Sequence, residues 1–424
     1  MKVLFINNGS IINNEAKNFI RKIRKDYSVN FKNNVAFVLP KLMLKKILKG
    51  FGSAEKRFPI GLGYLSSVLK ENGHKVDLVD RYALPGESLG NINDYDFIGV
   101  YASTPCFDDA LEVLNVINKS KFKGRLAVGG PHATVMPDTI PEYVDYVVQG
   151  EGEYVINDLV NGIYKKGSII KTQRIQDLDS LPRVDYDLFF GKKRDYHYDF
   201  PFSDRRPIFN MNTSRSCPYH CSFCGVQKIW GKLWTSQSPD RVIDDIKHLK
   251  REYGIAGVYF REDFFLVNKA RIYELCEKMI KEKLNIAWSC ETRVDNIDEE
   301  YIKLMSMSGC IGFYIGAESG SQKMLDIYNK QIEAADIVKT CNLAHKYGIS
   351  VAMSLIVGNR IESYKDRYDT WKVVKESSPE ILFTNFYRDE KELFGVKEYK
   401  KYSERQVVMA EFQNGTWRGQ KDRL

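Results

Sequence analysis

At 424 residues, 43% apolar and 28% charged, the chain is long enough for two or three separately cored domains and too apolar for wholesale disorder. Its net charge of +8 is local: residues 15–57 carry twelve Lys or Arg against three Asp or Glu, so a basic nucleic-acid-binding face is not expected. Eight cysteines without a disulfide-like pattern, and an opening MKVLFINN too short for a signal peptide or a membrane span, exclude a secreted disulfide scaffold and point to a reducing, cytoplasmic setting.

In chain order, KVLFIN is strand-like, followed by a basic insertion over about 15–57. Within it PKLMLKKILKG alternates apolar residues with lysines. It reads either as a membrane-surface helix or as a solvated helix packed on the seam between two domains; a further hypothesis is that the insertion covers the site and Lys45 and Lys46 attract an anionic substrate group. Residues 61–72 place Leu62, Leu65, Val68 and Leu69 on one helical face, and Gly73 stops the helix. Strands KVDLVD (75–80), DFIGVY (96–101), RLAVGG (125–130) and YVDYVVQG (143–150) follow, with helical stretches at 107–118 and 153–164. Five strands with intervening helices predict a doubly wound, Rossmann-like domain over 1–165, which binds ligands at the carboxyl ends of its strands. Ser103 and Thr104 offer hydrogen-bond donors at that crevice. Gly129, Gly130, Gly150 and Glu151 fit close approach of backbone to a ligand as well as simple turn chemistry.

Residues 166–207 are polar and Pro-containing and read as a linker. From Ile208 the period resets. IFNMN, GVYFR, IAWSC, GFYIG, SVAMSLIVG and ILFTNFY alternate with amphipathic helices, one opening at Ser238-Pro239 with Val242, Ile243, Ile246 and Leu249 on its apolar face. Six such units predict a partial (β/α)6 barrel over 208–390 and a short extension over 391–424, with functional groups at the strands' carboxyl ends.

Directly after the first barrel strand, SRSCPYHCSFC puts Cys217, Cys221 and Cys224 within eight residues. Three thiolates leave one iron of a 4Fe–4S cluster open to a chelating ligand, whereas structural zinc wants a fourth donor at fixed spacing. His220 is the local candidate for that donor, and no second C-x2-C pair lies downstream.

The C-x3-C-x-aromatic-C run, with Phe223 as the aromatic, resembles the signature of the radical S-adenosylmethionine superfamily. FPIGLGYLSSVLKENGHKVDLVD, AVGGPHAT and YVVQGEGE are similar to the cobalamin-binding domain of one large branch, so the resemblance covers nearly the whole chain. It implies that the open iron binds S-adenosylmethionine, whose cleavage yields a 5′-deoxyadenosyl radical, and that an external flavodoxin- or ferredoxin-type donor supplies the electron. The positions that match the S-adenosylmethionine site are Glu262 or Asp263 for the methionine ammonium and Arg293 for its carboxylate. Glu318 and Ser319 of Gly-Ala-Glu-Ser-Gly-Ser meet the ribose or the amino group, and Gly358 falls in the adenine-side loop. Each also has an ordinary structural reading, Glu262 and Asp263 as helix N-terminal acids and Arg293 as an ion-pair partner.

Two departures stand out. The run Gly358-Asn359-Arg360-Ile361-Glu362-Ser363 lacks the family's internal Pro-Gly, and D-x-H-x-x-G, the cobalt-ligating string, is absent. The cobalamin domain is then either base-off or vestigial. The resemblance implies a cobalamin-dependent methyltransferase acting on a small molecule, with a non-methylating radical enzyme (deoxygenase, dehydrogenase, epimerase or cyclase) as the alternative. A methylthiotransferase would place three further cysteines in the first domain, which has only Cys106.

Overall fold

The computed structural model describes residues 1–9, 57–190, 196, 203, 205–295 and 297–387; all of the basic insertion except Arg57, and the extension over 391–424, lie outside the described residues. The chain divides into two compact units, Met1–Thr172 with Val184–Tyr198, and Gln173–Arg183 with Asp199–Leu424.

In the first unit β1 (Lys2–Asn7), β2 (Lys75–Asp80), β3 (Phe97–Tyr101), β4 (Arg125–Gly129), β5 (Tyr146–Gln149) and β6 (Ser168–Lys171) form one sheet in the order β2-β1-β3-β4-β5-β6. All its pairings are parallel. Helices cover such a sheet on both faces, which is why its strands read as near-continuous apolar runs. Leu4, Ile6, Ile98, Val100 and Val128 pack with Ala110, Val113, Leu114 and Ile117 of the helix Phe107–Lys119. The strand order reverses between β1 and β3, the place where this topology opens its ligand crevice.

The second unit holds six parallel strands in the order β14-β13-β12-β11-β10-β7: β7 (Ile208–Met211), β10 (Gly257–Phe260), β11 (Ala287–Thr292), β12 (Cys310–Glu318), β13 (Ser350–Val357) and β14 (Ile381–Phe386). Between β7 and β10, β8 (Ser214–Arg215) pairs antiparallel with β9 (Thr235–Ser236). The helix Pro239–Tyr253 starts as its sequence predicts, with the Ser238 hydroxyl accepting from Arg241 N at 3.2 Å and Pro239 in the first turn. It buries Val242, Ile243, Ile246 and Leu249.

The described part of the stretch read as a linker is structured. Gly162 (φ +75°) ends the helix Ile156–Asn161, and after Gly167 (φ +80°) residues 168–171 pair with β5 as a sixth strand, one more than expected. Residues 173–183 belong to the second unit: Asp179 Oδ1 accepts from Ser238 N at 2.9 Å, and Arg183 Nε donates to Asp245 at 3.0 Å. Residues 184–198 return to the first, where Ser66 and Lys70 bind Asp185 at 2.5 and 2.6 Å. These contacts rest on single polar residues, which leave no hydropathy period to read. No helix among the described residues is long and apolar enough to cross a membrane.

Candidate cluster and cofactor site

The three cysteines sit on the excursion that β8 and β9 close at its base. Its first residue, Ser216, adopts φ +78°, a conformation strained for a residue with a Cβ. It is held there by Ser216 N donating to Asp263 at 3.1 Å and its hydroxyl donating to Gly231 O at 2.8 Å. Further on, Ser222 N donates to Tyr328 O at 2.9 Å, Asn329 Nδ2 to His220 O at 2.9 Å, and Gln227 Nε2 to Tyr219 O at 2.8 Å. Phe223, the aromatic of the motif, packs edge-on against Tyr328 with centroids 5.6 Å apart. The loop is thus fastened through residues 220–223 to the turn at 327–330 and braced internally by Gln227.

All three cysteines are free thiols. Burial pushes Cys224 up to about 11 and raises Cys217 as well, so a bound metal's charge is what would keep these groups as thiolates. Among the described residues, no three His, Cys, Asp or Glu side chains converge as ligands of a single ion. A cuboidal cluster presents a separate iron to each thiolate, and three free thiols on one anchored loop at the sheet's carboxyl edge suit that donor geometry. A recess of about 840 Å³ opens beside the loop, lined by Pro218, Tyr219, Phe264, Asp295, Lys339 and Thr340 among others.

Arg293, just beyond β11, is 5% exposed and fully engaged. Its Nη1 lies 3.6 Å from Cys221 Sγ, its Nε 2.7 Å from Asp295 Oδ1, and its Nη2 donates to Lys330 O. The guanidinium lies over the Tyr219 ring at 3.7 Å, and Tyr219 OH donates to Asp295 at 2.6 Å. Its nearest cluster-side contact is therefore a candidate ligand, where the sequence reading paired it with a bound carboxylate.

At the end of β12 a bulge between Gly316 and Glu318 leaves Glu318 at φ +63°. Its Oε1 accepts from Lys330 Nζ at 3.0 Å, both side chains being at most 10% exposed. Lys330 lies in a turn flanked by Asn329 (φ +48°) and Gln331 (φ +57°). Two left-handed residues and a left-handed Glu318 around one buried ion pair are the pattern of a site whose backbone is over-determined. Gly316 makes room for the pair: a Cβ there would sit 2.4 Å from Glu318 Oε1. Lys330, Asp295 and Tyr219 escaped the sequence reading. For Lys330 the only signal was a lysine in an otherwise turn-like Asn-Lys-Gln.

The other expected residues divide. Glu262 is buried, accepting from Thr213 N, from Thr213 Oγ1 at 2.6 Å and from the Ser214 hydroxyl. Burial raises its carboxyl, with Arg271 opposing. Both its oxygens are taken up in bracing the strand-to-loop junction. Asp263, the next residue, is exposed, and desolvation by its surroundings lifts it to about 6. Ser319 turns to Thr370 Oγ1 at 3.0 Å, and the Ser321 hydroxyl donates to Asp366 at 2.7 Å, so that end of the Glu-Ser-Gly-Ser phrase fastens the helix Tyr364–Ser377. Gly358 (φ +79°) opens the loop after β13, its N donating to Glu362 at 3.1 Å.

In the first unit, Gly130 (φ +102°) and Gly150 (φ +99°) follow β4 and β5. A Cβ at Gly130 would meet Ala102 O at 2.7 Å, and one at Gly150 would meet Thr172 Oγ1 at 2.5 Å. Glycine is demanded by the turns themselves. Gly129 ends β4 and accepts from Ala102 N at 2.8 Å, Glu151 is buried, and Ser103 is half-buried. Thr104 is committed to His132 Nδ1 at 3.1 Å, and His132 Nε2 to Thr139 Oγ1 at 2.9 Å. His74 likewise uses Nδ1 toward the Met1 amine and Nε2 toward Asn157. Both imidazoles therefore have both nitrogens engaged. Asn8, at the end of β1, donates to Tyr101 O across the switch point at 2.7 Å and keeps a buried Oδ1 without a partner. That orphan acceptor at the switch point fits a large, amide-bearing cofactor.

A doubly wound domain followed by a six-stranded parallel half-barrel, with three free thiols on the loop after its first strand, defines the architecture of radical enzymes that pair a cobalamin domain with a cluster barrel. A B12 binding domain model matches residues 53–160, and a radical SAM superfamily model matches residues 211–373. The uncharacterized methyltransferase PH0819 of Pyrococcus horikoshii is 31% identical over 346 residues, 75% of this chain and 73% of its own. The anaerobic magnesium-protoporphyrin IX monomethyl ester cyclase of Cereibacter sphaeroides is 26% identical over 388 residues, 81% of this chain and 62% of its own. Among solved structures, the radical S-adenosylmethionine methyltransferase TsrM from Kitasatospora setae shares the fold at TM-score 0.66 and 14% identity, over 91% of this chain and 72% of its own. The cobalamin-dependent enzyme OxsB does so at 0.60 and 17%, over 98% and 56%. The chain belongs to the radical S-adenosylmethionine superfamily, in the branch that carries a B12-binding domain. It is a radical enzyme of a family whose cofactors are a 4Fe–4S cluster, S-adenosylmethionine and cobalamin.

Proposed function

We propose that the chain is a cobalamin-dependent radical methyltransferase that places a methyl group on an unactivated carbon of a small metabolite or natural-product intermediate. The observation that carries this reading is the pairing, in one chain, of the anchored three-thiol loop with a crevice domain whose described histidines have no free nitrogen. When bound, the three cofactors supply a carbon-centred radical and a transferable methyl group. Cys217, Cys221 and Cys224 hold the cluster. Asp263 accepts hydrogen bonds from the methionine ammonium, Glu318 from the ribose or amino group, and Lys330 fixes the Glu318 carboxylate by a charge-assisted bond. Gly129, Gly130 and Gly150 would admit cobalamin close to the backbone, with Ser103 as a donor. The electron comes from an external flavodoxin- or ferredoxin-type donor, and a basic segment draws in an anionic substrate group.

The test uses anaerobically reconstituted enzyme with cobalamin. Formation of both 5′-deoxyadenosine and S-adenosylhomocysteine, with a product heavier by one methyl group, is expected. The second reading, a non-methylating radical enzyme, has the cyclase relative in its favour. It takes over if 5′-deoxyadenosine forms without S-adenosylhomocysteine. Colourless protein containing one zinc and no iron would defeat both.

A further inference from the structure

Cluster and cofactor binding leave the inner face of the second unit's sheet unassigned. Strands two apart in a sheet lie about 9–10 Å from each other. Yet the rings of Tyr259 on β10 and Tyr314 on β12 are 5.1 Å apart, and those of Tyr314 and Phe383 on β14 are 6.4 Å apart and nearly parallel at 18°. Rings close up across two strands only when they lean together on the concave side. The three therefore form one aromatic row inside the half-barrel. The strand position between the last two is small: Ser354 on β13 pairs in register with Phe383 and with Gly316. Phe383 is 44% exposed and Tyr314 half-buried, so the row is open at one end.

A carboxylate stands at its other end. Glu291 is the strand neighbour of Tyr314, and its Oε1 accepts from Tyr259 OH, with Arg261 Nε at 4.0 Å. Its Oε2 has no protein partner among the described residues, and the side chain is 35% exposed. Side chains two apart on a strand share a face, so Tyr314 and Gly316 point the same way. Glu318 and Lys330 occupy the space where a Gly316 Cβ would be. The row thus runs up to the proposed S-adenosylmethionine site on a continuous surface.

We propose that this row is the substrate platform, and that it takes a flat, conjugated molecule carrying a protonated amine directed at Glu291. This deepens the methyltransferase reading and rests on it. Offset stacking on Tyr314 and Phe383 selects the planar part, and the free Glu291 oxygen selects the cation.

Calorimetric titration of the anaerobic, cluster-loaded enzyme tests it with three probes: 2-naphthylmethylamine, 2-naphthylacetate and decahydronaphthylmethylamine. The aromatic amine should bind about tenfold tighter than either comparator. Phe383→Ala should weaken it about tenfold, and Glu291→Gln should erase the preference for amine over carboxylate. Iron and sulfide content with far-ultraviolet dichroism establish that each variant is folded and loaded. Equal binding of the three probes, no saturable binding of the amine, or an unchanged affinity in Phe383→Ala would overturn the proposal. A chain that fails to assemble an iron–sulfur cluster overturns the parent reading instead, which iron analysis reports independently of probe binding.

Discussion

Arg293 Nη1 sits 3.6 Å from Cys221 Sγ, and Asp295 holds the same guanidinium from the opposite edge at 2.7 Å. A charged donor on a ligating sulfur favours the more negative, reduced form of a cluster, and hydrogen bonds to the sulfurs are among the determinants of potential. Arg293→Lys should therefore shift the cluster couple to more negative potential. A tenfold change in its equilibrium, about 59 mV for one electron, is the expected scale. Asp295→Asn, which removes a negative charge beside the same guanidinium, should move it the other way by less. Redox titration followed by paramagnetic resonance reads the shift, and an unmoved midpoint in both variants would remove Arg293 from this role.

The Glu318–Lys330 pair is buried on both sides. Removing one partner leaves an unpaired charge in a low-dielectric site, at a cost of about 3–5 kcal/mol. Lys330→Met should lower stability on that scale and raise the KM for S-adenosylmethionine. The double variant Glu318→Gln, Lys330→Met should recover much of the stability and none of the affinity. Equal melting temperatures for the single and double variants would count against the pair as a coupled unit.

Asp366 takes bonds from the Ser363 hydroxyl at 2.6 Å, Ser321 at 2.7 Å and Lys323 at 2.9 Å. Burial alone would raise its carboxyl, but these donors outweigh it and hold the group well below the usual carboxylate range. Its contribution is present above the unfolded-state pKa and lost as pH falls toward the depressed folded value. Asp366→Ala removes a capping box together with the Ser321 tie, for about 2 kcal/mol. Denaturant unfolding at neutral pH should show that loss, and the gap to the parent protein should narrow in acid.

His132 is buried, stacked on Phe107 at 3.6 Å, and burial lowers it to about 4. Because the folded value lies below the ordinary 6.5, protons bind the unfolded chain preferentially. Stability is complete above 6.5 and falls as pH drops from 6.5 toward 4, by roughly 3 kcal/mol for a shift of this size. His132→Gln should flatten that limb of the pH–stability curve. An identical acid limb in the variant would assign it to other groups.

Much of the fold was legible because parallel, doubly covered strands write themselves as apolar runs between helical periods. KVLFIN, RLAVGG and GFYIG all form where their pattern puts them. The strand at 168–171 was missed because it is only four residues long and pairs through its backbone with β5, and the segment 173–183 because single polar contacts such as Asp179 with Ser238 N hold it and leave no period. The site divides in the same way. Glu262 and Asp263 are adjacent acids that sequence could not tell apart; only the fold turns one inward to Thr213 and leaves the other exposed.

What the sequence determined by itself is the chemistry that spacing alone can specify: three thiols within eight residues, and the alternation that builds two parallel sheets. Tertiary structure decided everything that depends on residues far apart in the chain. It brought Arg293 to Cys221, Lys330 to Glu318, and Tyr259, Tyr314 and Phe383 into one row. The reason is physical: sheet curvature and register set which side chains converge, and neither is encoded in the local period of any one strand.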